Sequence, residues 1–134
     1  MRVFLDTNVL LSGFLGTGLC AELMHRLIES DHDVLIGEPV AREFVRIATE
    51  KFKVPAPTLS YALEVLRRQQ MVAGTTAQLD DIPESDDEPI LACALAAQSD
   101  LFVTGDKALL ELARVKGLPL LSPRDAWMRL FGAG

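Results

Sequence analysis

Four acids in this chain, Asp6, Glu43, Asp87 and Asp106, are the side chains whose type and placement could do chemistry. Asp6 in "FLDTN" and Asp106 in "VTGDK" directly follow short apolar runs, Glu43 in "EPVAREF" lies one turn inside a helical pattern, and Asp87 in "SDDEPILACA" opens another. Burying a carboxylate at a strand end is costly unless something compensates its charge. Two carboxylates about 4 Å apart repel by roughly 4 kcal/mol at an effective dielectric near 20. Three or four in one cleft therefore need protons or a cation. A hard divalent ion is the simplest answer, because all-oxygen donor sets suit Mg²⁺ or Mn²⁺. Such an ion can activate a water and steady charge developing on a phosphate.

Each acid also has a plain structural reading. Asp87 and Asp106 precede helical patterns, where a carboxylate caps free N–H groups and meets the favourable end of the helix dipole. Glu43 alone reads as a solvated helix residue. Asp81, Asp86 and Glu88 read as loop and helix-start acids, and Asp80 is set aside with them. Asp6 resists this treatment, since a strand terminus inside a parallel sheet is not a solvated face.

The elements that must position these acids emerge from the hydrophobic pattern. Short runs, apolar on both faces, are predicted as strands at Arg2–Leu5, Val34–Ile36, Met71–Val72, Leu101–Thr104 and Leu118–Leu121. The segments between them are long enough for crossover helices, which makes the sheet parallel. In "GEPVAREFVRIATEKF", Pro39 suits a first helical turn, and Val40, Phe44, Ile47 and Ala48 share one face. "APTLSYALEVLRRQQ" predicts a helix with Leu59, Leu63 and Leu66 inward and Arg67 and Arg68 outward. A loop, "GTTAQLDDIPESDD", leads to the apolar helix "EPILACALAAQS". "KALLELARVK" predicts a helix ended by Gly117, with Arg114 and Lys116 near its carbonyl end. Ser122-Pro123-Arg124-Asp125 carries the signature of a further helix start. No repeat or linker divides the chain, so one α/β domain over 1–134 is expected. In such sheets ligands gather beyond the carboxyl ends of the strands. All four acids fall at or just past that edge.

Composition narrows the function. The 134 residues are 49% hydrophobic with a formal charge of −6 and a pI near 4.8. That argues against strong non-specific nucleic-acid binding, which depends on a basic surface. It leaves room for a nucleic-acid substrate where a divalent ion supplies local positive charge. Cys20 and Cys93 fit neither a metal spacing nor a disulfide framework and read as buried reduced thiols. His25 and His32 lie near the first helix and its following loop, away from the acidic edge, so zinc is not indicated. Asp6 interrupts the only apolar run near the start, so no secretory leader is expected. No run approaches the ~20 apolar residues of a membrane span. A cytoplasmic location is expected.

With "VFLDTNVLLSG" first, "EPVAREF" next and "DDEPILACALAAQSDLFVTGDKALL" last, the chain resembles the PIN-domain family, in particular the PIN toxins of toxin–antitoxin pairs. The likeness spans essentially the whole chain. It implies a three-layer α/β/α sandwich around a central parallel sheet of about five strands. It implies a Mg²⁺- or Mn²⁺-dependent endoribonuclease with an RNA substrate and a cognate antitoxin. It implies that Asp6, Asp87 and Asp106 hold the metal directly or through water. Glu43 would orient or deprotonate the attacking water, and Asn8 and Thr104 would steady the acids. Asp86, adjacent to Asp87, is the second choice at that position.

A receiver domain would need an acid in "MVAGTT", and a haloacid-dehalogenase-like phosphatase would need one at Asn8; neither is present. The remaining alternative is a catalytically silent PIN-fold binding module for RNA or a protein. Arg42, Arg46 and Lys107 flank the acids and are candidate RNA-phosphate contacts; Arg67 and Arg68 stand further off. Trp127, Met128, Leu130 and Phe131 are the candidate apolar surface for the antitoxin or for a homodimer, with core closure as the competing reading.

Overall fold

A computed structural model describes residues 1–75, 79, 82 and 86–132. Asp80 and Asp81 lie outside the described residues. The elements run β1 (Arg2–Leu5), α1 (Thr7–Leu15), α2 (Leu19–Glu29), β2 (Asp33–Gly37), α3 (Glu38–Glu50), α4 (Ala56–Arg67) and β3 (Gln70–Val72). After the loop come α5 (Asp87–Ala96), β4 (Leu101–Val103), α6 (Lys107–Leu112), β5 (Arg114–Val115), β6 (Leu118–Leu121) and α7 (Pro123–Phe131).

The strands form one sheet in the order β3-β2-β1-β4-β6-β5. Five are parallel, and β5 alone runs antiparallel, against β6. Helices flank the sheet in a three-layer α/β/α sandwich. Short apolar strands buried on both faces require that cover. Val3, Phe4 and Leu5 of β1 and Leu101, Phe102 and Val103 of β4 are almost wholly buried, and the Phe4 and Phe102 rings stack at 5.4 Å. Helix α5 buries Ile90 through Ala94, as an all-apolar helix must.

Strand order determines where a site can form. From β1 the chain winds outward through β2 to β3, then crosses back to place β4 on the other side of β1. The crevice at the carboxyl ends of β1 and β4 is thus the topological switch point, the usual ligand position in open α/β sheets. Asp6 comes directly after β1, while Thr104 and Asp106 come after β4.

Local signals account for most boundaries. Pro39 lies in the first turn of α3, whose Val40, Phe44 and Ala48 are buried; Ile47, on the same expected stripe, is only half-buried. In α4, Ala62 and Leu66 are buried, with Leu59 and Leu63 partly covered. Ser122 caps α7, its Oγ accepting from Asp125 N at 3.1 Å.

Three expectations are corrected. The helix expected over "KALLELARVK" ends at Leu112, and Arg114–Val115 turns back to pair with Leu118 and Pro119. Lys116 (φ 47) and Gly117 (φ 83) make the two-residue connection. Positive φ at both positions matches the strand twist in a tight hairpin, and the pairing buries Val115 and Leu118.

The C-terminal apolar residues are not an open patch. Trp127, Leu130 and Phe131 pack against the core, and the Arg26 guanidinium of α2 lies 5.2 Å from the Trp127 ring centroid and 4.6 Å from that of Phe131. Only Met128, 55% exposed, faces outward. The chain needs α7 to cover α2 and the adjoining strands, so core closure takes these side chains. Cys93 is buried as expected, whereas Cys20 is half-buried. No single helix among the described residues is long and apolar enough to cross a membrane.

Candidate active site

Asp6 carries two jobs. As N-cap of α1 it accepts from Thr7 N through Oδ1 at 2.8 Å. Its Oδ2 accepts from Thr104 Oγ1 at 2.7 Å and from Asn8 Nδ2 at 3.1 Å. Its own N–H donates to Val103 O at 2.9 Å, which ties the end of β1 to β4. The carboxylate is thereby held in one orientation by donors from both strand ends, although it is only 4% exposed.

The donors are themselves fixed. Thr104 Oγ1 accepts from Asp106 N at 3.0 Å, and Asn8 Nδ2 lies 3.3 Å from it. One donated and two accepted bonds exhaust a hydroxyl. Asn8 Oδ1 accepts from Gly105 N at 2.8 Å. Thr104 N donates to Leu121 O at 2.9 Å, so β6 anchors this corner from the far side. Asp106 caps α6, its Oδ1 accepting from Ala108 N at 2.8 Å. The capping and site readings of Asp106 are thus compatible, because the cap engages one oxygen.

Electrostatically the site is short of positive charge. Burial pushes the Asp6 carboxyl above its ordinary value, the hydrogen bonds from Thr104 and Thr7 hold it back, and the charges of Glu43 and Asp106 push it up again. Among the described residues no Lys or Arg forms an ion pair with Asp6, Glu43 or Asp106.

Glu43, half-buried on α3, acts on Asp6 through its charge. Asp87 is the first residue of α5 and half-buried. Asp86, the N-cap position, is exposed and faces Glu43 across a cleft of about 330 Å³ also lined by Arg42 and Arg46. Lys107 is exposed at the first residue of α6. Arg67 borders an apolar groove between α3 and α4 that Arg42 also lines, and Arg68 is tied to Glu64 at 2.7 Å. His25 sits beside Glu29 on α2, and His32 precedes β2 at the opposite sheet edge. Both are away from the acids, as expected.

Donor chemistry and charge fit a hard divalent cation: the donors are all oxygen, and like charges crowd a buried carboxylate. Among the described residues, however, no three His, Cys, Asp or Glu side chains are grouped closely enough to hold an ion between them. The structure brings Glu43 and Asp106 into electrostatic reach of Asp6 and does not gather the four acids around one point; a cation that keeps several waters needs only one or two direct carboxylates.

Three features of the site go beyond the sequence reading. Asp6 caps α1, which "DTN" before an apolar helix signals. The Gly105 N–H orients Asn8, and no side-chain pattern announces a backbone donor. Thr7 is buried, and its Oγ1 finds no hydrogen-bond partner among the described residues.

Fold and site together define an α/β protein with an acidic, all-oxygen centre at its sheet switch point. The chain belongs to the PIN domain family, whose profile matches residues 2–108. It superposes on a chain of the VapBC2 complex from Rickettsia felis, solved bound to a DNA fragment from its promoter. There the TM-score is 0.68 at 18% identity, covering 91% of this chain and 98% of that one. A second likeness is to the PIN domain endonuclease Utp24, with TM-score 0.50, 16% identity and coverage of 90% and 84%. No curated protein sequence matches the chain.

Proposed function

We propose that this protein is a metal-dependent endoribonuclease and the toxin of a toxin–antitoxin pair. One observation carries the proposal: a buried, rigidly held carboxylate whose proton affinity is raised by burial and by two neighbouring acids, with no cationic side chain among the described residues paired to it. Such a centre favours a divalent cation over a proton near neutral pH. The likeness to a VapBC2 chain and to an endonuclease supports the same reading.

A bound Mg²⁺ or Mn²⁺ supplies an acidified water and positive charge beside a phosphodiester. Asp6 and, directly or through water, Asp87 and Asp106 would hold it. The chain's own residues do the rest. Thr104, Asn8 and the Thr7 N–H keep Asp6 from rotating, so both oxygens stay in register with the crevice. Gly105 N–H fixes Asn8. Glu43 takes or orients the proton of the attacking water. The partner would be an antitoxin that silences this activity in its own cell.

The test is cleavage of mixed RNA by purified protein with Mg²⁺ or Mn²⁺, beside Asp6→Asn. Cleavage by the wild type and a loss of at least about a hundredfold in the variant are expected, on the scale at which single catalytic groups act. Equal activity in both would assign the cutting to another site or a contaminant. RNA bound but uncut by either protein would favour the silent binding module.

A further inference from the structure

We propose that Arg42 and Arg46 form a ledge for two consecutive phosphates of an unpaired RNA strand, leading the next phosphodiester to Glu43; the proposal rests on the ribonuclease reading above. The cleft of about 330 Å³ between α3 and the start of α5 has Pro39, Arg42, Glu43 and Arg46 along one wall and Asp86 and Pro89 on the other. Both arginines are exposed and stand four residues apart, so they point from one helix face. Four residues advance about 6 Å along a helix, comparable to the step between neighbouring phosphates in an extended strand. Glu43 lies between them in sequence and on the wall of the same cleft.

The charges are available. Among the described residues Arg42 has no ion pair, and Arg46 meets only Glu50 at 3.9 Å, with both side chains well exposed. Exposed pairs of that length contribute little. Arg68, by contrast, is occupied by Glu64 at 2.7 Å. The cleft has room for a phosphate and its sugar, and a flexible single strand can lay successive phosphates along the arginines, whereas a duplex presents its backbones in one fixed shape. Asp86 on the facing wall repels a strand that strays from the arginines, so they fix its path on a chain of net charge −6. An acidic protein segment could satisfy the same two guanidinium groups, but the helical step and the adjoining acidic centre favour a phosphodiester.

The experiment reads binding without cleavage. In an Asp6→Asn background with Mg²⁺ present, affinity for a fluorescein-labelled oligouridylate is measured by anisotropy across a salt series. Each phosphate contact on a single strand contributes about 0.7 to the slope of log affinity against log salt. The pair Arg42→Gln/Arg46→Gln is expected to flatten that slope by about 1.4, Arg42→Lys/Arg46→Lys to retain it, and Arg67→Gln/Arg68→Gln to leave it unchanged. A matched RNA duplex is expected to bind more weakly and to show no such change. An unaltered slope in the glutamine pair, equal flattening by the α4 pair, or equal behaviour of the duplex would overturn the ledge. Because no cutting is read, a protein that binds with these slopes yet never cleaves RNA would retain the ledge and lose the nuclease.

Discussion

At the residue scale the protein turns on Asp6. An acid whose folded-state pKa is raised binds its proton more tightly when folded, so stability falls as pH rises from the unfolded value through the folded one. For Asp6 the window opens near its ordinary value of 3.8 and extends upward. Replacing it by Asn removes that titration and adds an offset, because the amide must present its NH2 donor either to the Thr7 N–H or to the donors Asn8 Nδ2 and Thr104 Oγ1. In EDTA, the melting temperature of the wild type relative to Asp6→Asn is therefore expected to be flat below pH 3.8 and to decline above it. Mg²⁺ is expected to suppress the decline in the wild type alone. A difference constant across pH, or an equal Mg²⁺ effect on both proteins, would contradict the charge deficit at this carboxylate. The sequence made Asp6 conspicuous because an acid ending a buried strand conflicts with burial. The role of Thr104 there came from the family resemblance and not from the residues themselves, because its bond to Asp6 depends on β4 lying beside β1 across 98 residues of chain, whereas Asn8 reaches Asp6 from two residues away.

At the element scale, Gly37 shows how closely the acid-bearing helices approach. It ends β2 and precedes α3, and a Cβ built there would lie 2.8 Å from Phe4 Cζ and 3.0 Å from Cys93 Sγ. Its φ of −73° is open to any residue, so space and not backbone freedom requires glycine. Gly37→Ala is expected to destabilise by about 1–3 kcal/mol, the usual cost of overpacking, and to reduce cleavage by displacing α5 and Asp87; chemical denaturation and rate measured together check this. A fully stable, fully active alanine variant would show that α5 has room to move. The five parallel strands were legible because each is short, apolar and isolated by helical spacing. The hairpin of β5 and β6 was not. Leu109, Leu112 and Val115 continue a helical spacing, and Arg114 and Lys116 look like residues closing a helix. The competing signal was the Lys-Gly pair between Val115 and Leu118, a two-residue connection with glycine where positive φ is needed. Ala113 adopts φ 63 to leave the helix, a conformation that alanine sequence does not advertise.

At the scale of the whole molecule, the match to the family profile ends at residue 108, yet the site is completed by elements beyond that point. β6 hydrogen-bonds to β4 and, through Leu121 O, holds the backbone of Thr104 beyond that strand. α7 packs against α2, β4 and β6, with Trp127 and Phe131 gathered around Arg26. The segment beyond residue 108 is therefore expected to unfold with the sheet and not to peel from it. Trp127 is the only tryptophan, so its fluorescence reports α7 while far-UV circular dichroism reports all the helices. Coincident denaturant transitions from the two probes are expected for one cooperative unit. Trp127→Phe is expected to lower the common midpoint by removing half-buried aromatic area and the wider face beneath Arg26. A fluorescence transition that precedes the loss of helix would instead make α7 a separable appendage. RNA cleavage would then survive at denaturant concentrations where Trp127 is already exposed, because the anchoring of Thr104 by Leu121 would not depend on the helix behind it.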